Sequence, residues 1–283
     1  MIFLLNTRLS RPTIWLFTLV ALFCAQAYKP SFADTLNHTE PKKRAPMTAT
    51  VNPAKATPPA PAFKLPDFSK YPNVKQKKQA FFDFLLPYVT QANAIILNQR
   101  AYVASLDFHQ LTETDVNNIR SFIKRYRLKT QAINPQTQKT LLRKMDVIPP
   151  SLALAQAANE TAWGSSRFAR QGLNFYGQWC FTEGCGLVPL SRPKGEYHEV
   201  KKFKTPLESV RSYMLTLNSH PAFKALRDAR YQARSHQKPI NGLLMVHGLE
   251  PYSARKEIYV KAIASMIRTN HLLMLDKACS NPI

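Results

Sequence analysis

The sequence predicts a mainly α fold with one β-hairpin, preceded by a helical extension. Apolar residues recur at helical spacing through most of the chain beyond residue 74, and convincing β-type runs occur only from Gly186 to Leu190 and from Tyr197 to Lys204. The length of 283 residues and the hydrophobic content of 45% suffice for one well-buried domain with extensions, or for two small domains. We therefore expect one core with attached segments.

The first 27 residues have the pattern of an export signal. Arg8 and Arg11 precede an apolar run from Ile14 to Ala25, which is shorter than the roughly 20 residues that span a bilayer. Ala25-Gln26-Ala27 offers the small residues that signal peptidase requires, and Ser31-Phe32-Ala33 is a second candidate site. The segment predicts a cleaved signal peptide or, alternatively, an uncleaved amino-terminal anchor. Either one predicts a periplasmic or envelope-associated protein.

Composition divides the rest of the chain into three segments. Residues 28–66 are rich in Pro, Thr, Ala and Lys, which predicts a flexible linker. Residues 67–139 predict a helical extension and residues 140–283 the main domain. In the extension, Val74 to Arg100 predicts a helix with a kink or break at Pro87. Phe108 to Tyr126 predicts a second helix, capped near Thr112.

Helix signals continue through the main domain. Pro149-Pro150-Ser151 begins a helix of small and apolar residues that stops by Gly164, and Ser165-Ser166 begins a short helix that runs to about Gln171. Thr205-Pro206-Leu207-Glu208 is a capping box, which predicts a helix from Pro206 to Asn218. Further helices are expected around Thr140 to Met145, Pro221 to Ser235, Ile240 to His247 and Ser253 to Thr269.

Two of the four cysteines lie close together in the sequence. Cys180 and Cys185 have no second Cys or His pair nearby that would complete a zinc site, so no metal site is expected and a local disulfide fits better. In an oxidising periplasm this bond would stabilise its loop by about 2 kcal/mol. Cys24 is interpreted as part of the apolar signal region, and Cys279 as the odd thiol.

The formal net charge of +22 predicts an affinity for polyanions. Charge alone does not choose among nucleic acid, anionic lipid and wall polymers. Export argues against nucleic acid as a partner. It leaves an anionic membrane surface and the cell wall.

Glu160 stands out because it is an acidic residue on an otherwise apolar, small-residue helix. Helical spacing puts Gln156 and Trp163 within about one turn of it. Burial beside an aromatic ring disfavours a carboxylate, so Glu160 could stay protonated near neutral pH and act as a general acid. The alternative is a core glutamate satisfied by hydrogen bonds, or one that faces solvent.

Two motifs add to this pattern: Ala155-Gln156-Ala157-Ala158-Asn159-Glu160-Thr161-Ala162-Trp163-Gly164-Ser165-Ser166, and Asn174-Phe175-Tyr176-Gly177. They resemble the Ala-Gln-Ala-x-x-Glu-Ser-x-Trp-Gly and Asn-x-Phe-Gly segments of the glucosaminidase domain of peptidoglycan hydrolases, which includes flagellar wall-cutting enzymes. Thr161 replaces the usual Ser, and Tyr176 replaces the usual Phe. A longer match, with Gln178-Trp179-Cys180-Phe181 and Gly184-Cys185-Gly186, resembles the bacterial Bax branch of that family.

The resemblance covers roughly Ile148 to Thr269, and its Bax-like part extends back to about Val74. It implies a lysozyme-like helical fold for the main domain, residues 140–283, and cleavage of the β-1,4 bond after N-acetylglucosamine in peptidoglycan. It implies that Glu160 is the general acid and that no cofactor is required. Asn174, Phe175, Tyr176 and Trp163 are then expected to contact or shape the sugar groove, although Phe175 could equally be a core residue.

A second carboxylate would activate water or act as a nucleophile. Glu196 and Glu199 both lie in the predicted hairpin, and we favour Glu199, with an exposed strand glutamate as the alternative. The substrate's own N-acetyl group could assist if neither serves. Tyr252 lies where the family has a tyrosine-containing loop, so its phenol is a candidate for contact with sugar or the reaction centre.

Three functions remain open from the sequence. The first is an N-acetylglucosaminidase. The second is a lytic transglycosylase, which can use a single acid/base glutamate and leaves an anhydro-sugar end. The third is a non-catalytic protein that binds the wall through its groove and its charge.

Overall fold

Helices account for most of the chain that the structure, a computed structural model, describes, namely residues 65–193 and 195–279, with Ala278 and Cys279 described by their backbone alone. Residues 1–27, expected to be a signal peptide or anchor, and the expected linker up to residue 64 lie outside the described residues. The α-helices are α1 Val74–Ser105, α2 Glu113–Arg125, α3 Pro135–Lys144, α4 Pro150–Thr161, α5 Arg167–Gly172, α6 Pro206–Ser219, α7 Lys224–Ser235, α8 Gly242–Met245 and α9 Lys256–Thr269.

Short 3-10 helices connect or extend these elements at Phe68–Lys70, Pro221–Phe223, Val246–Tyr252 and Leu272–Cys279. Three short strands, β1 Trp179–Cys180, β2 Gly186–Leu187 and β3 Glu199–Lys201, form one antiparallel sheet in the order β1-β3-β2. The mainly α, lysozyme-like class is confirmed. The predicted hairpin is present as β2 and β3, and β1 is an additional strand that the sequence did not indicate.

α1 is the longest helix and packs along the core. Asn73 caps it by accepting from the Gln76 backbone N–H, and the helix continues through Pro87 to Ser105. Its length and composition would allow it to cross a membrane. However, Phe81, Leu85 and Val89 on this helix are fully buried inside the protein, which accounts for its apolar character.

α2 and α3 pack against the carboxyl end of α1 around a small second core. Thr112 and Asp115 form a capping box at the start of α2, which begins five residues after the predicted start. α3 begins earlier than predicted because Asn134 caps it and Pro135 occupies its first turn. The buried members of this core are Val103, Phe108, Ile119, Ile123, Tyr126, Leu141 and Met145.

α4 runs through the larger core, and two polar residues of distant elements fix its amino-terminal end. The Asn93 side chain of α1 exchanges two hydrogen bonds with the backbone of Ile148, of 2.8 and 2.9 Å. Asp276 accepts from the backbone N–H groups of Ser151 and Gly242, at the starts of α4 and α8. These bonds satisfy buried backbone groups and hold α4 in a defined position.

α4 ends at Thr161, where the backbone enters the left-handed region at Ala162, Trp163 and Gly164. A Cβ atom at Gly164 would lie 2.5 Å from the Phe68 ring, so glycine is required there by space as well as by its φ of +77°. The Thr161 hydroxyl donates to the Ala157 carbonyl and accepts from the Gly164 N–H. A serine hydroxyl can make the same two bonds, which agrees with the Ser-to-Thr difference from the family motif.

Candidate active site

Glu160 lies at the exposed end of a buried helix. Of the twelve residues of α4, only Asn159 and Glu160 are not buried. Desolvation of the partly buried Glu160 carboxyl raises its pKa, and hydrogen bonds from Tyr259 and Asn159 oppose that shift without cancelling it. A raised pKa keeps more of this carboxyl in the acid form, which is the form that can donate a proton.

The two oxygens of Glu160 have different surroundings. Oε1 accepts from the Tyr259 hydroxyl at 2.8 Å and from the Asn159 amide at 3.3 Å. Among the described residues, no hydrogen bond is made to Oε2. An ideal Cβ atom on Gly177 would lie 3.5 Å from Oε2, so this oxygen faces a glycine. When the carboxyl is protonated, the proton therefore belongs on Oε2, since Oε1 already accepts two bonds.

A line of buried hydrogen bonds leads from the core to Glu160. The Tyr213 hydroxyl of α6 donates to Oε1 of Gln156 at 2.6 Å, and Nε2 of Gln156 donates to the Tyr259 oxygen at 2.9 Å. Tyr259 then donates to Glu160. Each donor has one acceptor, so the orientation of the Tyr259 hydroxyl is fixed by the core.

Asn174 shapes the turn that brings Gly177 opposite Glu160. Its Oδ1 accepts from the N–H groups of Tyr176 and Gln178, and its Nδ2 donates to the carbonyls of Gln178 and Lys201. Asn174 is 1% exposed, so the structure places it behind the turn rather than on the open surface. Gly177 adopts a φ of +64° within this turn.

Four tyrosines pack together beside the same turn. The ring of Tyr176 stacks on Tyr213 with centroids 3.8 Å apart, and the buried Tyr176 hydroxyl has no hydrogen-bond partner among the residues that the structure describes. Tyr252 stacks on Tyr259 and donates its hydroxyl to the Tyr176 carbonyl at 2.8 Å. Burial raises the pKa of the phenols of Tyr176, Tyr252 and Tyr259, so all three remain neutral donors at ordinary pH.

The remaining aromatic candidates, Phe175 and Trp163, pack against residues of α1. Phe175 is fully buried, and its ring packs against Phe84 of α1. Trp163 lies beyond the end of α4 and packs edge-on against Phe82, with the Lys78 ammonium 4.8 Å from its ring centroid. The aromatic residue that donates a hydrogen bond to Glu160 is Tyr259, which the helical spacing did not indicate.

Glu199 is engaged in the small sheet. Its two carboxylate oxygens accept from the N–H groups of Gly184 and Gly186, at 3.0 and 2.7 Å, and these bonds lower its pKa. The predicted Cys180–Cys185 disulfide is present and closes the loop that contains Gly184. Glu199 and the two sulfur atoms lie within 4.8 Å of one another, but thiols joined in a disulfide are not available as metal ligands.

Three residues of this site were not singled out as functional from the sequence. Gln156 and Gly177 lie within the two motifs, and Gln156 is one helical turn before Glu160, so a local signal existed for both. Tyr259 lies 99 residues after Glu160 and reaches it only because α9 packs on α4. No local pattern in the sequence marks that contact.

Comparison with known proteins agrees with these motifs. Residues 135–272 match the glucosaminidase family, described as mannosyl-glycoprotein endo-beta-N-acetylglucosaminidase. The chain is 32% identical over 215 residues to Protein bax of Escherichia coli (strain K12), covering 74% of this chain and 76% of the relative. No solved structure matches the chain. The chain belongs to the glucosaminidase family, which supports a peptidoglycan-related role as a hydrolase or as a binding protein. Within that family it is a bacterial member of the Bax type.

Proposed function

We propose that this protein cleaves the β-1,4 glycosidic bond after N-acetylglucosamine in peptidoglycan, with Glu160 as the general acid. The observation that carries the proposal is the asymmetric setting of the Glu160 carboxyl. The Tyr259 hydroxyl donates to Oε1, burial raises the carboxyl pKa, and Oε2 faces Gly177, which has no side chain.

In the proposed reaction, the proton on Oε2 passes to the glycosidic oxygen as its bond to the anomeric carbon breaks. The electron pair of that bond stays with the leaving oxygen, which departs as a neutral hydroxyl. Glu160 becomes a carboxylate, and the Tyr259 hydroxyl that donates to Oε1 stabilises it. Water then adds to the oxocarbenium-like sugar and returns a proton to Glu160.

Glu199 is better suited to a structural role than to that of the second acid. Both of its oxygens accept backbone N–H bonds, and its lowered pKa reflects those bonds rather than a reacting partner. We therefore propose that Glu160 is the one carboxyl group that reacts and that the substrate's N-acetyl group or water completes the step. Tyr252, whose hydroxyl donates to the Tyr176 carbonyl, is proposed to position the Gly177 turn.

A single reacting carboxyl also favours a second candidate, lytic transglycosylase activity. In that reaction the muramic acid hydroxyl, instead of water, attacks the anomeric carbon and leaves an anhydro-sugar end. Digestion of purified peptidoglycan, followed by mass spectrometry of the released ends, distinguishes the two. New N-acetylglucosamine reducing ends support the first candidate, anhydro-muramic ends support the second, and no release by the wild-type protein supports a wall-binding role.

Export is part of the proposal. The disulfide fits an oxidising compartment, and the net charge of +22 suits a protein that works against the anionic cell wall. We propose a periplasmic or envelope-associated location, with glycan strands of peptidoglycan as the partner. An anionic membrane surface is a further proposed partner, for the same electrostatic reason.

A further inference from the structure

A second recess lies between α1, the end of α2, α6 and the segment that follows β3. It has a volume of about 430 Å³. None of the residues that form the hydrogen-bond line to Glu160 borders it. The apolar part of its wall includes Ile96, Tyr126, Phe203 and Leu215. We refer to it below as the basic recess.

The rim of the basic recess is strongly cationic. Five of the residues that line it are basic: Arg125, Lys201, Lys202, Lys204 and Arg211. Glu208 is the one acidic residue among those lining it, and its carboxylate accepts from the backbone N–H of Lys204. The positive charges are therefore contributed by α2, the β3 segment and α6 together.

These cations are not neutralised within the part of the chain that the structure describes. None of the five takes part in an ion pair there, whereas other basic residues, such as Arg143 and Lys224, pair with Asp228. Lys201 instead lies over the ring of Phe203, at 5.1 Å. Like charges gathered around one recess repel each other and attract an anionic ligand.

We propose that the basic recess binds a short acidic peptide, namely the carboxylate-bearing peptide stems that branch from the glycan strands. This inference rests on the proposed function, because it takes the same polymer as the ligand. The rim offers positive charge to several carboxylates, and the apolar wall offers contact to small aliphatic side chains. Uncharged glycan alone would leave the five cations without partners.

Two other occupants fit the charges less well. Residues 28–64 of the chain contain six Lys or Arg and two Asp or Glu, so this segment would bring more positive charge to a positive rim. A second copy of the chain carries a net charge of +22 and would be repelled by the first. A membrane offers anionic headgroups, but a flat membrane surface would contact only the rim of the basic recess and not its apolar wall.

The test is calorimetric titration of the purified protein with stem peptides released from peptidoglycan by an amidase. The variant Lys202→Glu/Arg211→Glu reverses two rim charges at exposed positions. The control Arg120→Glu/Arg268→Glu changes the net charge by the same amount at exposed positions outside the recess. Amidated stem peptides and phosphatidylglycerol vesicles serve as the alternative probes, and thermal unfolding confirms that each variant folds.

We expect the stem peptides to bind the wild-type protein and the control with equal affinity, and the rim variant at least about tenfold more weakly at low ionic strength. Glu160→Gln should bind like the wild type, so peptide binding is read without turnover and separately from cleavage. Absent peptide binding, equal binding by the rim variant and the control, or equal binding of amidated peptides would overturn the proposal. Vesicle binding that depends on the rim, without peptide binding, would assign the recess to lipid and overturn it as well.

Discussion

At the scale of single residues, burial and hydrogen bonding have opposite effects on the pKa of Glu160. Burial is the largest influence and raises the carboxyl pKa, while the Tyr259 hydroxyl favours the ionised form. A group that must give up a proton and later take it back benefits from both influences. Burial supports the acid form, and Tyr259 supports the carboxylate that remains after the transfer.

The raised pKa makes Glu160 a source of instability at neutral pH. Because the folded-state pKa lies above the unfolded value, the protein loses stability as pH rises through the folded pKa. Glu160→Gln removes the buried charge and should raise Tm at pH 7 by about 2–4 °C, which corresponds to about 1 kcal/mol in a domain of this size. The gain should shrink toward pH 4. Calorimetry at both pH values checks this, and a gain independent of pH would contradict it.

Tyr259 should tune the pH dependence of catalysis. Removing its hydroxyl with Tyr259→Phe removes a bond that lowers the Glu160 pKa, so that pKa should rise further. The rate depends on protonated Glu160, so its alkaline limb should move to higher pH. The rate of peptidoglycan digestion as a function of pH measures this shift. Tyr102→Phe, a hydroxyl removal in the second core, is a matched control. An unchanged alkaline limb in Tyr259→Phe would exclude the proposed coupling.

The sequence singled out Glu160 because a lone acid on a small, apolar helix departs from the local pattern, and the resemblance to the family motif was needed to assign it the role of general acid. The residues that surround Glu160 were harder to predict from the local sequence. Trp163 was expected beside it from helical spacing; in the structure α4 ends at Thr161, and Trp163 lies in the left-handed turn that follows and packs against Phe82. Glu199 was favoured as the second acid, with an exposed strand glutamate as the alternative, and only the folded loop shows that backbone N–H groups donate to both of its oxygens.

At the scale of elements, the small sheet and its disulfide form one unit with Glu199 inside. The lowered pKa of Glu199 means that its contribution to stability is present above the unfolded pKa and is lost as pH falls through the folded pKa. Glu199→Gln replaces one accepting oxygen by an amide that cannot accept. We expect faster proteolysis between Cys180 and Gly186, with digestion of peptidoglycan within about threefold of the wild-type rate. If Glu199→Gln resisted proteolysis as well as the wild type, that result would contradict the structural role of Glu199.

Element boundaries were predictable where a cap is local in sequence. Thr112, Ser166 and Thr205 each cap the helix that follows them through the side-chain bond their pattern predicts. β1 was not predictable in this way. It has two residues, and it is a strand only because it pairs with β3, about twenty residues later. α1 continues through Pro87 because its apolar face is held by the core on both sides of that residue.

At the scale of the whole molecule, the carboxyl-terminal 3-10 helix supports the helix that carries Glu160. Asp276 joins the starts of α4 and α8, and it is 3% exposed. Asp276→Ala would leave the Ser151 N–H buried without an acceptor and would remove the acceptor of the Ser151 hydroxyl, whereas the Gly242 N–H would keep its bond to Ser151 Oγ. We expect a loss of about 2–4 kcal/mol in the free energy of unfolding, measured by urea denaturation. Asp107→Ala, in an exposed turn, is the control. A loss below about 1 kcal/mol in Asp276→Ala would show that the Asp276 hydrogen bonds at the starts of α4 and α8 are not needed for stability.

The fold class was predictable from hydrophobic periodicity because that signal is distributed over every helix. The long-range polar contacts could not be predicted from the sequence. Arg230 is fully buried and donates to carbonyls at the end of α3, and Asp146 pairs with Arg234. Each of these contacts joins residues more than 80 positions apart. The basic recess likewise forms only where α1, the end of α2, the β3 segment and α6 come together.

The most direct test of the central claim is the rate of peptidoglycan digestion by Glu160→Gln, compared with the wild type and with Glu199→Gln. Proton donation by a positioned carboxyl contributes about 10²–10⁴-fold. We therefore expect a loss of at least about 10²-fold for Glu160→Gln, with normal thermal unfolding, and little loss for Glu199→Gln. Wild-type digestion by Glu160→Gln, or an equal loss in the two variants, would contradict the assignment of Glu160 as the general acid.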